Sequence, residues 1–241
     1  MFEKSKRFIV PVLFAVSLAI CLASCVNSQT AKQPQKREEY MMMSIPHKPD
    51  DLLILDSDLI VTGKVSGFGK SKWSNPNFER GEEISNVMQT DVYISVDSIL
   101  YGDASSEKIA VRIDEGEDET TIFHSDGYPD FEIGKPILLF LARDRSDVAT
   151  DEDYYILVGM KQGKYDLDDS SKAEQGNMKD DASADNAKYV NLEYPAENRT
   201  FEIGALKQQI KDEHEKRPNY REERAKKEAE IQERNKELFG E

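Results

Sequence analysis

From Val92 to Val96 and again from Ile109 to Ile113 apolar residues recur at every second position, and that alternation limits what the chain can become. Val92, Ile94, Val96 and Ser98 fall on one face, and Tyr93 falls on the other. Successive side chains of a strand point to opposite faces, so this is the period of a half-buried strand. Tyr101-Gly102-Asp103 punctuates the run, and Lys108–Ile113 alternates again. Residues 90–113 therefore read as two neighbouring antiparallel strands. Shorter β-branched or aromatic runs stand at Leu59–Val65, Thr120–Phe123, Tyr154–Gly159, Gly163–Leu167 and Tyr189–Tyr194. Ile137–Leu141 is apolar throughout, which predicts a central strand. From Thr200 the period becomes helical: Ile203, Leu206 and Ile210 form one stripe that can lie on a sheet. Short strands at this spacing followed by a helix predict a mainly β fold, a small antiparallel OB-like barrel or sandwich with a C-terminal helix.

The N-terminus has a different character. Glu3, Lys4, Lys6 and Arg7 precede an apolar run from Phe8 to Ala23, broken only by Pro11 and Ser17. A basic start, a short apolar stretch and small residues at its end define a secretory signal. The run is shorter than the ~20 apolar residues that span a bilayer stably. Leu22-Ala23-Ser24-Cys25 resembles the lipobox of bacterial lipoproteins. That resemblance implies a diacylglycerol on the Cys25 thiol and cleavage before Cys25. Cys21 is a poor rival, because Ile20 before it is branched and bulky where a small residue is needed. Each buried methylene contributes ~0.8 kcal/mol, so two or three acyl chains on Cys25 hold the protein on a membrane.

Cleavage leaves Cys25 as the sole cysteine, with no disulfide and no cysteine-based zinc site. The domain must rely on its hydrophobic core. The full chain of 241 residues carries a net charge of −15. Three basic residues against Glu3 make the leader +2, so the rest carries −17. Such a surface repels phosphate backbones, and no nucleic acid is expected as a partner.

Four segments follow from these patterns: 1–24 a signal peptide, 25–50 the lipidated cysteine and a flexible tether, 51–217 a β-barrel domain with its packed helix, and 218–241 a charged helical tail. The tether is polar and aperiodic, and as a coil it holds the domain on the order of 30 Å from the membrane. Met41, Met42 and Met43 lie in it, and three adjacent residues cannot all face one metal site. Asp168–Lys188 has almost no large apolar residue and is expected to be a mobile loop. Pro218 stops or kinks the helix before the tail. Glu222 with Lys226, Glu223 with Lys227 and Glu230 with Arg234 are favourable i,i+4 pairs, which describe a solvated helix.

Within the barrel region, Asp58–Val65, Val92–Gly102, Phe131–Lys135 and Ile137–Leu141 together resemble the netrin/TIMP-type OB barrel over about residues 57–160. In that family a strand, a long loop, a strand pair and a Gly turn into an apolar strand follow one another. The family's usual disulfides are missing here. Its inhibitors chelate a protease zinc through a free N-terminal cysteine amine, and that mechanism does not carry over to a lipidated Cys25 far from the barrel.

Candidate chemistry is sparse. Gly67-Phe68-Gly69-Lys70-Ser71 ends like a P-loop, but the first glycine should stand at position 64, which is Lys64. His124-Ser125-Asp126 holds three triad residue types, yet neighbours on a strand alternate faces and cannot form one relay. His47, His124 and His214 are not at metal spacing. Asp114, Glu115, Glu117 and Asp118 form an acidic cluster, and Asp144, Asp147, Asp151, Glu152 and Asp153 form another. No cofactor is expected unless it is calcium, for which the first group above all offers carboxylates, but neither cluster has EF-hand spacing and a solvated hairpin tip explains each as well. The loop from Phe68 to Met88 carries Phe68, Trp73 and Phe78 among polar residues. In an OB barrel the first long loop flanks the ligand face, so these aromatics are the candidate ligand contacts. Burial of Trp73 as a cap on the barrel end is the competing role.

The expected function is a membrane-anchored, extracytoplasmic, non-enzymatic binding or interaction module, with an envelope protein or glycan as partner. An exported carboxylate-dependent hydrolase is the alternative, and a solute-binding subunit of a transporter the third. Cys25→Ser is expected to abolish palmitate incorporation in living cells and to release the protein from the membrane fraction. Unchanged labelling of that variant contradicts the lipobox reading.

Overall fold

A computed structural model describes residues 35–74, 86–104, 106–145, 150, 152–168, 182–194 and 199–239. The chain divides into two units, Met1–Lys36 and Arg37–Glu241, and all the described helices and strands lie in the second. Its elements begin with β1 (Arg37–Met41), α1 (Asp50–Asp56), β2 (Leu59–Phe68), β3 (Lys72–Trp73), β4 (Met88–Tyr101) and β5 (Lys108–Ile113). Then come β6 (Gly116–Glu117), β7 (Thr121–Ser125), β8 (Pro136–Arg143), β9 (Tyr155–Leu157), a 3-10 turn (Met160–Gly163) and β10 (Lys164–Leu167). The C-terminal part holds α2 (Ala182–Asp185), β11 (Lys188–Val190), β12 (Thr200–Glu202), α3 (Ile203–Lys216) and α4 (Tyr220–Phe239).

The fold is mainly β and centres on a closed five-stranded barrel. Around the wall β2 pairs with β4, β4 with β5, β5 with β9, β9 with β8, and β8 with β2 again. All of these pairs are antiparallel except β5–β9, which is parallel through Val111 and Tyr155. Closure removes the open edges that a sandwich keeps. The alternation seen in the sequence points inward: Val61, Val65, Val92, Ile94, Val111 and Leu139 belong to one buried cluster inside the barrel. Expected partners Thr90–Ser95 and Lys108–Ile113 are the β4–β5 ladder.

β8 explains its continuous apolar run. Ile137, Leu139 and Leu141 belong to the barrel interior, while Leu138, Phe140 and Ala142 belong to a second core outside the wall. Both faces are covered, so both must be apolar. The first half of β8 pairs with β10 and the second half with β9, so the sheet forks there. β11 and β12 continue the outer branch. Phe140, Tyr165 and Phe201 meet at ring separations of 5.7, 5.2 and 4.9 Å. Ile203, Leu206 and Ile210 of α3 close this core with Leu53 and Ile54 of α1, so the i, i+3, i+7 stripe lies on the sheet. Where β4 turns away, Gly102 has φ +81°, and a Cβ there would lie 2.1 Å from the Asp58 carbonyl oxygen. Only glycine fits that close approach.

Several segments depart from the expectations. Residues 37–48, expected as tether, are held on the domain. β1 pairs in parallel with β7, and β6 completes a small separate sheet. The buried Gln162 side chain accepts from Lys48 N and donates to the Pro46 oxygen. Arg199 donates to the Lys48 oxygen at 2.6 Å. These anchors come from residues more than 100 positions away, so no local period announces them. The tail beyond Pro218 is helical, and its first turns dock. Tyr220 and Arg224 donate to Asp56 at 2.8 and 2.7 Å, and Arg221 donates to the Ser57 oxygen at 2.6 Å. Part of the Asp168–Lys188 loop forms the short α2. The signal segment, Cys25 and residues 169–181 lie outside the described residues. No helix among the described residues is long and apolar enough to cross a membrane.

Candidate functional site

Residues 69–74 after β2 and residues 150 and 152–154 before β9 lie on the same side of the barrel, against Asp91 of β4 and Arg112 of β5. The first loop turns back along β4 immediately. Gly69 N–H donates to the Asp91 oxygen, and the short β3 pairs Lys72 with Gln89 and Trp73 with Met88. Gly69 and Ser71, the end of the P-loop-like stretch, are thus tied to β4. Ser71 Oγ lies 2.8 Å from Thr90 Oγ1 and accepts from Glu117 N–H.

Arg112 joins the two loops to the wall. It stands on β5 opposite Asp91 of β4, and its side chain is only 2% exposed. Nε and Nη2 donate to the two Asp91 oxygens at 2.7 and 3.0 Å. Nη2 also donates to Glu152 Oε2 at 2.6 Å, and Nη1 to Thr150 Oγ1 at 3.3 Å. The guanidinium lies over the Tyr154 ring, 3.7 Å from its centroid. Lys72 of the first loop donates to the same Glu152 oxygen. Burial pulls the Arg112 pKa down, but hydrogen bonds to Asp91 and Glu152 outweigh it and raise the pKa overall. Hydrogen bonds from Lys72 and Arg112 hold the Glu152 carboxyl down at about 2.

The candidate aromatic contacts separate. Trp73 is half-buried, with its indole N–H donating to Asp118 at 3.1 Å. Its ring meets Phe123 of β7 edge-on at 6.1 Å. Trp73 thereby ties the small sheet to the barrel. Phe68, at the end of β2, is exposed. Phe78 lies outside the described residues.

The first acidic cluster does not converge on one point. Asp114 accepts from Gln89 Nε2 and from the Tyr128 hydroxyl. Asp118 accepts from Thr120 N–H, Thr121 N–H, the Thr120 hydroxyl and Trp73. The Thr120 amide, foremost among these donors, helps lower its pKa to about 2. Glu117 is exposed. Glu115 differs: burial raises its pKa, and among the described residues its carboxylate accepts from Ser125 N–H at 3.4 Å. In the second cluster Asp144 accepts from Tyr154 and Asp153 from Arg143, while Asp147 and Asp151 lie outside the described residues. No group of three His, Cys, Asp or Glu among the described residues could hold a metal ion.

The histidines lie apart, each stacked on a different tyrosine: His47 on Tyr194, His124 on Tyr40 and His214 on Tyr101. Ser125 and His124 point to opposite faces of β7, so no relay forms. An open groove of about 500 Å³ follows the far half of β4, lined by Val96, Ile99, Ala104 and Glu107 among others.

The Arg112 arrangement is absent from the sequence-based expectations, although a cross-strand register of 90–95 against 108–113 places Asp91 opposite Arg112. Opposite charges at paired positions are the signal that finds it. Comparison of the chain with protein-family models, with curated proteins and with solved structures finds no match.

Arg112→Ala leaves Asp91 unpaired on the barrel wall and is expected to lower stability by about 3 kcal/mol in urea unfolding. The Glu152 carboxyl is depressed from its ordinary 4.5 to about 2. Its contribution is therefore present above pH 4.5 and lost as pH falls towards 2. Stability is expected to decline over that window, and Glu152→Gln is expected to flatten part of the decline. An unchanged profile contradicts the role given to Glu152.

Proposed function

We propose that the protein is a lipid-anchored, extracytoplasmic lipoprotein whose barrel acts as a non-enzymatic binding or interaction module. The observation that carries this reading is the Arg112–Glu152–Lys72 network. It ties Lys72, where the first long loop begins, to Glu152, where the β8–β9 loop ends, on one side of the barrel. Loops in these positions surround the ligand face of OB barrels. Loops held by side-chain bonds are pre-organised, which lowers the ordering cost of binding. Phe68 is the exposed aromatic beside this surface and the first contact to test. An envelope protein or a glycan suits an aromatic contact in a polar, acidic surrounding. Lipid on Cys25 supplies the membrane attachment.

A carboxylate-dependent hydrolase is favoured by one observation, the separation between a raised Glu115 and depressed Asp118 and Glu152. Asp118 and Glu152 owe their low values to hydrogen bonds that occupy their oxygens, which leaves them poorly placed to act as nucleophile or base. The binding reading therefore stands first.

Cross-linking in living cells, with native, Phe68→Ala and Trp73→Ala forms side by side, separates these readings. The native form is expected to capture one specific envelope protein or glycan, and Phe68→Ala to lose it while keeping the native circular dichroism spectrum. Trp73→Ala is expected to lose capture together with stability. Equal capture by native and Phe68→Ala forms, or none by the native form, contradicts the proposal.

A further inference from the structure

Met41, Met42 and Met43 alternate faces, and the fold uses that alternation. Met42 is 80% exposed, while Met41 and Met43 are half-buried against the domain. Met41 stands in register with Ser125 across the parallel β1–β7 pair. Ser125 Oγ lies 3.6 Å from Met43 Sδ. A third methionine arrives from the other side. A Cβ on Gly127 would lie 2.6 Å from Met43 Sδ and 3.2 Å from Met160 Sδ. Both thioethers thus close over a residue that has no side chain to separate them. Met160 itself has φ 55°, a left-handed conformation that methionine rarely adopts. It follows Gly159, also left-handed, and the two turn the chain so that the Met160 sulfur reaches Gly127.

A carboxylate meets the backbone of the same Ser125. Glu115 accepts the Ser125 N–H and is half-buried. Among the described residues no cationic side chain makes an ion pair with it, although most of the neighbouring carboxylates are engaged. A negative charge in that position attracts a positive one.

We propose that Met41, Met43 and Met160 form a thioether site for a soft monovalent cation, Cu(I), with Glu115 as the nearby balancing charge. Thioether sulfur selects Cu(I) over the hard cations, which demand oxygen ligands. The cation binds and leaves as Cu(I). No redox step is involved, and only coordination bonds form and break. Neutral thioethers leave the full positive charge of the ion in place, which the Glu115 carboxylate offsets. The site is separate from the loop surface around Phe68.

The test is a titration of the purified full chain, its methionine methyl groups labelled with carbon-13, with Cu(I) kept reduced by ascorbate without oxygen. The methyl resonances of Met41, Met43 and Met160 are expected to move together and to saturate at one equivalent. Those of Met42, Met88 and Met178 are expected to stay. Met43→Leu with Met160→Leu keeps the packed volume and is expected to weaken binding at least ~100-fold. Glu115→Gln keeps all three sulfurs and is expected to weaken it about tenfold. Shifts centred on other methionines overturn the site. So does unchanged affinity in the double variant. If the double variant fails to fold, the Glu115→Gln titration and the resonances of the native chain decide the question on their own.

Discussion

β5 and β9 meet through one pair of ladder residues, Val111 and Tyr155, and this short parallel seam closes the barrel. A backbone hydrogen bond contributes only about 1 kcal/mol net, so the ladder alone is a weak closure. Side chains reinforce it from both sides. Arg112, next to Val111, binds Glu152 and Thr150 and lies over Tyr154, all just before β9. Arg143 of β8 lies over the Tyr155 ring at 4.0 Å and donates to Asp153. The seam is thus held by guanidinium groups on tyrosine faces and carboxylates more than by its ladder. The same contacts set Thr150 and Glu152–Tyr154 on the barrel wall, so closure of the barrel and the placement of these residues have one cause.

The second core depends on the barrel through β8. A strand that serves two cores at once cannot slip by one residue without exchanging every buried side chain for its neighbour. That constraint fixes where β10 joins, and β10 in turn positions β11, β12 and α3. The α3 stripe and α1 then cover Leu138 and Phe140. α4 is attached differently. Its contacts to Asp56 and Ser57 are polar, its described side chains are half-buried or exposed, and Ile231 is exposed. Desolvation alone would raise the Asp56 pKa, yet hydrogen bonds from Lys48 and Tyr220 lower it. One carboxylate therefore joins the segment before α1 to the last helix.

Much of the fold was legible where structure is periodic. The 90–113 strand pair, the continuous run of β8 and the 203, 206, 210 stripe follow from which faces must be dry. The choice between barrel and sandwich was not legible, because it rests on whether β5 meets β9, and a one-rung parallel contact leaves no pattern. The placement of 37–48 was also hidden. It depends on Gln162 and Arg199, single polar residues whose partners are backbone atoms far away in sequence. Among site residues, Trp73 stood out by rarity and Arg112 did not, since a lone arginine in an alternating strand looks like any outward-facing charge. Met160 carried no signal at all, for its meeting with Met43 depends on a left-handed turn and on Gly127.

The chain carries a net charge of −15, and at the seam Arg112 and Arg143 pair part of its negative charge with Asp91, Glu152 and Asp153. The proposed binding at this surface presupposes that Lys72 and Glu152 stay together, and Arg112 at the β5–β9 seam holds Glu152 in place. The most direct measurement is a nuclear Overhauser experiment on the folded protein, looking for backbone proton contacts between Val111 and Tyr155 and for contacts from the Arg112 side chain to the Tyr154 ring. Both sets of contacts, with β5 and β9 in parallel register, are the predicted result. Their absence, with the β2–β4 and β2–β8 contacts intact, would describe an open sandwich and contradict a closed barrel held at this seam.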